Sequence, residues 1–273
     1  MHKAKNDTFF NTRSPMKSKI FLFFFLVTCN IAPLKAVIFD SCKTTDILPY
    51  ITENTVIIFD LDDTVFRMPS MLGNDAWFQH HVDLKRTKGL TYNESTQDVL
   101  LTYLLLQYFS ELELIDEKTT ELITDLQRQQ LPVMALTTRC LALAEHTKKE
   151  LHRLGVHFSF SCPWPHDIDL GITHASKYTD GIIFGANNHK GKLLNQFFEK
   201  TDFWPKKVIF LNDKLSNLKP VEEQMEKIGI EFVGLRYAAE DDRKKQFDAQ
   251  VAESLLYEYK KKLGIVPLIR PEK

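Results

Sequence analysis

Cysteine is scarce, four in 273 residues, and no Cys-x-x-Cys pair or Cys/His spacing of a zinc site occurs. No internal repeat, heptad array or low-complexity tract is present, so solenoid, coiled-coil and disordered organisations are excluded. An excess of one charge is also missing. With 35 basic and 36 acidic residues the net charge is −1, and no general affinity for nucleic acid is expected. What remains is a globular composition, 44% hydrophobic and 26% charged. The length suits one large domain with an insertion, or two small domains.

The N-terminus reads as a targeting segment. Basic Met16-Lys17-Ser18-Lys19 precedes an unbroken apolar run, Ile20 to Val27, and a small residue follows at Ala36. That order predicts a secretory signal peptide over residues 1–36 and an exported protein, periplasmic or secreted. Leu34 departs from the small residue usual before a cleavage site, so an uncleaved anchor is the alternative. The run is short for a bilayer span, and no stable membrane insertion is expected after cleavage. Cleavage would remove six basic residues and one acid, leaving a mildly acidic chain with Cys42, Cys140 and Cys162. An odd count implies at least one free thiol or an intermolecular bridge.

The chain is organised around Val56-Ile57-Ile58-Phe59-Asp60-Leu61-Asp62-Asp63-Thr64. An apolar, β-prone run ending in acid suits a strand buried on both faces of a parallel sheet. Ligands of open α/β sheets bind beyond the carboxyl ends of the strands, which places Asp60 and Asp62 at a crevice. Neighbouring carboxylates repel unless a cation joins them, and a hard metal such as Mg²⁺ is the usual one. The bland alternative is a strand followed by an acidic turn.

Other strand ends carry complementary groups. Leu131 to Leu136 reads as a buried strand ending in Thr137-Thr138-Arg139, and Lys207 to Leu211 as another ending in Asn212-Asp213. Lys190 opens a helix. Val156 to Phe160 reads as a short strand, residues 163–180 as a small excursion or hairpin, Ile182 to Phe184 and Glu231 to Leu235 as strands, and residues 245–263 as a last helix. Val37-Ile38-Phe39-Asp40 resembles the main strand but lacks a second carboxylate, and is read as the start of the mature chain. Strands alternating with helices predict an α/β fold with a doubly wound parallel sheet. The helical stretch from about residue 74 to 130 is too long for a single crossover, so an inserted helical subdomain is expected there, with Trp77 and Phe78 in its core.

In this order the motifs resemble those of the haloacid dehalogenase (HAD) superfamily: Asp60-Leu61-Asp62-Asp63-Thr64, then Thr137, Lys190, and Asn212-Asp213 with Asn217. The resemblance covers about residues 55–235 and is closest to a group of exported bacterial HAD-like proteins. It implies a Rossmann-like core over residues 37–66 and 126–273, with a helical cap over 67–125. It further implies a phosphatase for a small phosphorylated substrate. Asp60 would be the nucleophile, and Asp62 would protonate the leaving oxygen and then activate water. Thr137 and Lys190 would bind phosphoryl oxygens. Mg²⁺ would be held by the Asp60 carboxylate, the Asp62 backbone carbonyl and the Asp213 carboxylate. Thr138 and Arg139 are further substrate-binding candidates, and Arg139 could equally be a helix-start residue. The resemblance also makes Cys140 and Cys162 candidates for a bridge, because their strands would be neighbours. The departures are Asn212, where many members carry a first Asp, and Asn217, where others carry a final acid. A catalytically inactive HAD-fold binding or host-interaction protein is therefore the competing reading.

Overall fold

Side chains at i and i+2 of a strand share a face, so a strand apolar at every position must be covered on both faces. The computed structural model describes residues 36–262. The expected signal segment lies outside them apart from Ala36. In chain order the elements are β1 (Val37–Ser41), β2 (Thr55–Phe59), β3 (Phe66–Arg67), α1 (Asp75–Thr87), α2 (Tyr92–Tyr108), β4 (Glu113–Leu114) and α3 (Glu117–Arg128). Next come β5 (Val133–Thr137), α4 (Ala144–Arg153), β6 (Ile168–Asp169), β7 (Lys177–Thr179), β8 (Ile182–Phe184) and α5 (Lys190–Thr201). The chain continues through β9 (Lys207–Asn212), α6 (Leu215–Ile228), β10 (Glu231–Tyr237), α7 (Asp241–Lys245) and α8 (Ala249–Lys262).

Eight strands form one sheet in the order β1-β10-β9-β2-β5-β8-β7-β6. Pairing is parallel from β1 through β8, and β7 and β6 add an antiparallel edge. The alternation along each strand separates two cores. Ile57, Phe59, Val133, Ala135, Ile209 and Leu211 pack with Leu122, Ile123 and Leu126 of α3 and Leu151 of α4. Val56, Ile58, Met134, Leu136, Val208 and Phe210 pack on the other face with Leu193 and Phe197 of α5 and Leu218 and Val221 of α6. The fold is α/β, doubly wound, as the sequence predicts.

From β2 the chain builds toward β5 and β8, then returns to lay β9 on the other side of β2. Strand order reverses between β2 and β9, which opens a crevice at their carboxyl ends. Asp60 follows β2 and Asp213 follows β9.

Three expectations need correction. Val37 to Asp40 is not merely a mature N-terminus: it is the edge strand β1, with Val37 opposite Val233 and Phe39 opposite Leu235. Val156 to Phe160 forms no strand, because β8 takes the place beside β5, with Ala135 opposite Ile182. Phe158–Phe160 is instead a single tight helical turn, seated against Gly181, where a Cβ would meet the Phe158 carbonyl oxygen at 2.3 Å. Finally, α3 falls largely within the expected insertion, yet its apolar face packs under the sheet. The helices with a core of their own are α1, α2 and α8, which bury Trp77, Val82, Val99, Leu106, Ala252 and Leu256 together. Among the described residues no helix is long and apolar enough to cross a membrane.

Candidate active site

The turn after β2 is tied to its own backbone. The Leu61 carbonyl accepts from the amides of Thr64, Val65 and Phe66 at 3.3, 2.9 and 3.1 Å. Asp63 takes a left-handed conformation, φ 55°, to close it. The turn is also stitched to β9. The Asp60 amide donates to the Leu211 carbonyl at 2.8 Å, and the Asp213 amide donates to the Thr64 hydroxyl at 3.1 Å. Thr64 is fully buried and has no other visible task. Its place in the first motif signalled its presence, but its role of holding the two acidic strand ends together is decided by tertiary contact.

Asp60 is the centre of the cluster. Lys190 pairs with its Oδ1 at 2.9 Å, and the Asn212 amide donates to its Oδ2 at 2.6 Å. Lys190 also donates to the Leu136 carbonyl at 3.1 Å. Burial pushes the Asp60 carboxyl up to about 6; Lys190 works against that rise and Asp213 adds to it. Asn212 is therefore more than a missing ligand. As a carboxylate it would face Asp60 with charge, whereas its amide supplies a donor. The Asn212 carbonyl oxygen accepts from the Lys214 amide at 2.8 Å and from Asn217 at 3.2 Å, which fixes the amide's orientation.

Asp62 stands apart from Asp60. Arg139 grips it with two parallel bonds, Nε to Oδ2 at 2.9 Å and Nη2 to Oδ1 at 2.8 Å. The remaining terminal nitrogen of Arg139 donates to Thr147 at 3.2 Å, and the guanidinium lies over the Phe66 ring at 4.8 Å. Only 2% of the Arg139 side chain is exposed. The expectation that Arg139 contacts substrate thus meets a guanidinium already committed to Asp62. Burial disfavours its charge most, but Asp62, with smaller contributions from Tyr103 and Cys140, raises its pKa overall. Thr137 is fully buried, its hydroxyl accepting the Arg139 amide at 3.1 Å, while Thr138 is exposed. A polar cleft of about 170 Å³ opens beside Lys190, walled by Thr138, Asn187, His189, Ser216 and Asn217. On α2, Tyr103 packs against Phe78 and lies within reach of the charges of Asp75, Asp62 and Arg139. Its hydroxyl is raised well above the usual phenol range by burial first, then by the charges of Asp75 and Asp62. Nothing in the sequence had set Tyr103 apart from the other apolar positions of its helix.

The donor set suits a hard divalent cation. Asp60 and Asp213, 4% exposed each, bring buried carboxylates near enough for the Asp213 charge to act on Asp60, and Mg²⁺ commonly takes one or two carboxylates with other oxygens. Among the described residues no three His, Cys, Asp or Glu side chains gather as a ligand group. Asp213 is held instead by Lys244, at 2.5 Å, and the same ammonium reaches Asp63 at 3.1 Å. Cys42, Cys140 and Cys162 are free thiols, so the bridge considered for the latter two is not formed.

The chain is 26% identical over 255 residues to a Chlamydia pneumoniae protein named "Putative outer membrane protein", covering 90% of this chain and 94% of that one. A protein of the same name from Chlamydia trachomatis is 26% identical over 196 residues, 71% of this chain and 73% of the relative. Among solved structures, a haloacid dehalogenase-like hydrolase from Streptococcus pneumoniae aligns with TM-score 0.42 and 15% identity, over 66% of this chain and 93% of its own. A class C acid phosphatase from Bacillus anthracis with tungstate bound aligns with TM-score 0.34 and 12% identity, over 84% and 85%. The sequence profile of the family described as Protein of unknown function (DUF2608) matches residues 40–266, and the chain belongs to that family.

Proposed function

We propose that this chain is an exported, Mg²⁺-dependent phosphatase of HAD type that hydrolyses a small phosphomonoester through an aspartyl-phosphate on Asp60. The observation that carries the reading is the state of Asp60: a buried carboxylate at the strand-order reversal, clamped by Lys190 and Asn212, with a second carboxylate two residues on. A carboxylate buried at such a strand end, its pKa raised and its oxygens oriented by a cation and an amide donor, has the setting of an activated nucleophile.

In this reading an Asp60 oxygen attacks phosphorus, and the bond to the ester oxygen breaks. Asp62 gives that oxygen a proton, then takes one from the water that attacks the aspartyl-phosphate, releasing phosphate and restoring Asp60. The two bonds from Arg139 favour the carboxylate form of Asp62 that accepts the proton of water, and one of them must open for Asp62 to carry the proton it gives the leaving oxygen. Lys190 neutralises charge on the transferring group, and Thr138 lines the same cleft as Lys190. A magnesium ion held by Asp60, the Asp62 carbonyl and Asp213 would supply further neutralisation of the phosphate oxygens. Helices α1 and α2 act as the cap that excludes water and selects substrate. Export is supported by the residue pattern of positions 1–36 and by the outer-membrane wording in the names of the chlamydial relatives.

The test is hydrolysis of para-nitrophenyl phosphate and a panel of phosphorylated metabolites, with Mg²⁺ and with a chelator. Turnover should need the metal, and Asp60→Asn should lower kcat by at least about a thousandfold with an unchanged circular dichroism spectrum. A mutant retaining a tenth of the wild-type rate sinks the mechanism. Absence of turnover on every substrate would favour the binding-protein reading.

A further inference from the structure

Each aspartate of the cluster is matched by one of the chain's own cations: Asp60 by Lys190, Asp62 by Arg139, and Asp63 with Asp213 by Lys244. The first two cations are anchored in the sheet's framework. Lys190 opens α5 and Arg139 follows β5, and their side chains are 3% and 2% exposed. Lys244 is held differently. It comes from α7, five residues that contribute nothing to the buried core, and its side chain is 29% exposed. The supports of α7 are polar: Arg236 to Asp241 at 2.6 and 2.8 Å, and Arg243 to the Met68 carbonyl at 2.6 Å. The ammonium nevertheless reaches inward to Asp213, whose own side chain is 3% exposed.

An ammonium at hydrogen-bond distance from the Asp213 carboxylate neutralises the charge that a divalent cation would use. Two cations cannot share that buried carboxylate without repelling each other. The less firmly seated one yields, and withdrawing Lys244 breaks no apolar packing of α7. We propose that Lys244 is a tethered counter-cation: it holds Asp213 when no metal is bound, competes with the incoming divalent ion, and moves to solvent when that ion binds. Lys244 thereby sets the cation concentration at which the site fills. This rests on reading Asp60 and Asp213 as the cation ligands.

The experiment measures cation binding rather than turnover. Mn²⁺ affinity is determined by electron paramagnetic resonance, and Mg²⁺ affinity by calorimetry, on wild type, Lys244→Gln and Lys244→Arg. Lys244→Gln should bind both ions at least about tenfold more tightly, and Lys244→Arg, which keeps the charge, should stay within about threefold of wild type. A second measurement needs no mutant. Reductive methylation of the wild-type protein, mapped by mass spectrometry, should label Lys244 several-fold faster when Mg²⁺ is added. Equal or weaker binding by a folded Lys244→Gln, or labelling that Mg²⁺ does not accelerate in a protein that binds it, overturns the role of Lys244 and leaves the metal-dependent reading standing. Failure of every variant to bind either ion at millimolar concentration overturns both.

Discussion

At the scale of single residues, the candidate site is a matter of which groups are donors and which are charged. Asn212 is the informative case. From the residue pattern it reads as a carboxylate lost from the fourth motif, which weakens the case for catalysis. In the folded chain its amide donates to Asp60 at 2.6 Å and is held in that orientation by Lys214 and Asn217. Asn212→Asp would exchange this donor for a second buried negative charge beside a carboxyl already raised to about 6, burial being the main cause. Without metal, the variant should melt several degrees below wild type, and kcat should fall at least about tenfold. Thermal melts in chelator and steady-state kinetics check both; an unchanged melting temperature would show that the amide is not needed as a donor. Arg139 teaches the same lesson in the opposite direction. Its residue type suggested a phosphate clamp, but a guanidinium 2% exposed and bidentate on Asp62 is occupied. Residue type states what a side chain is able to bind; only its neighbours decide what it does bind.

At the scale of elements, close approaches between helices place the site. Lys190 is the first residue of α5 and Gly191 the second. A Cβ on Gly191 would lie 2.3 Å from the Pro220 carbonyl oxygen and 2.8 Å from the Gln224 side chain, both on α6. Gly191→Ala must therefore push the start of α5 away from α6 and carry Lys190 with it. Overpacking of this kind costs about 1–3 kcal/mol. Denaturant unfolding should show that loss, and any turnover of the proposed phosphatase reaction should fall by more than stability alone explains, because the Lys190–Asp60 pair is stretched. Full activity at reduced stability would mean that Lys190 adjusts independently of its helix. The central strands β2, β5 and β9 were legible because each is a short apolar run ended by a polar group. β1 was not, since its short apolar run, read as the start of the mature chain, becomes a strand only by pairing with β10, far away in the chain. Val156 to Phe160 misled for the converse reason: its residues suit a strand, but the place beside β5 is taken by β8.

At the scale of the whole molecule, the chain closes on itself twice. β1 completes one edge of the sheet beside β10, and α8 packs back on the insertion helices, Ala252 and Leu256 meeting Trp77 and Val82. The segment joining these closures is α7, the source of Lys244. Leu256→Ala removes a side chain that is 7% exposed, a change that costs about 2–5 kcal/mol in a packed core. Hydrogen exchange should then accelerate in α1, α2 and α8 while β2 and β9 stay protected, because the third cluster is separate from the two sheet cores. Uniform acceleration would show one cooperative unit instead. What the amino-acid order determined by itself was local: the two-residue alternation that makes strands, the polar groups that end them, and the arrival in turn of Asp60, Thr137, Lys190 and Asp213. What only the tertiary structure decided was which groups meet: Asn212 with Asp60, Arg139 with Asp62, the Thr64 hydroxyl with the Asp213 amide, and Lys244 with Asp63 and Asp213. The physical reason is that strand and helix propensities act over a few neighbouring residues, whereas a charge pair forms wherever folding brings its two ends together, and folding does that over distances along the chain that no local pattern encodes.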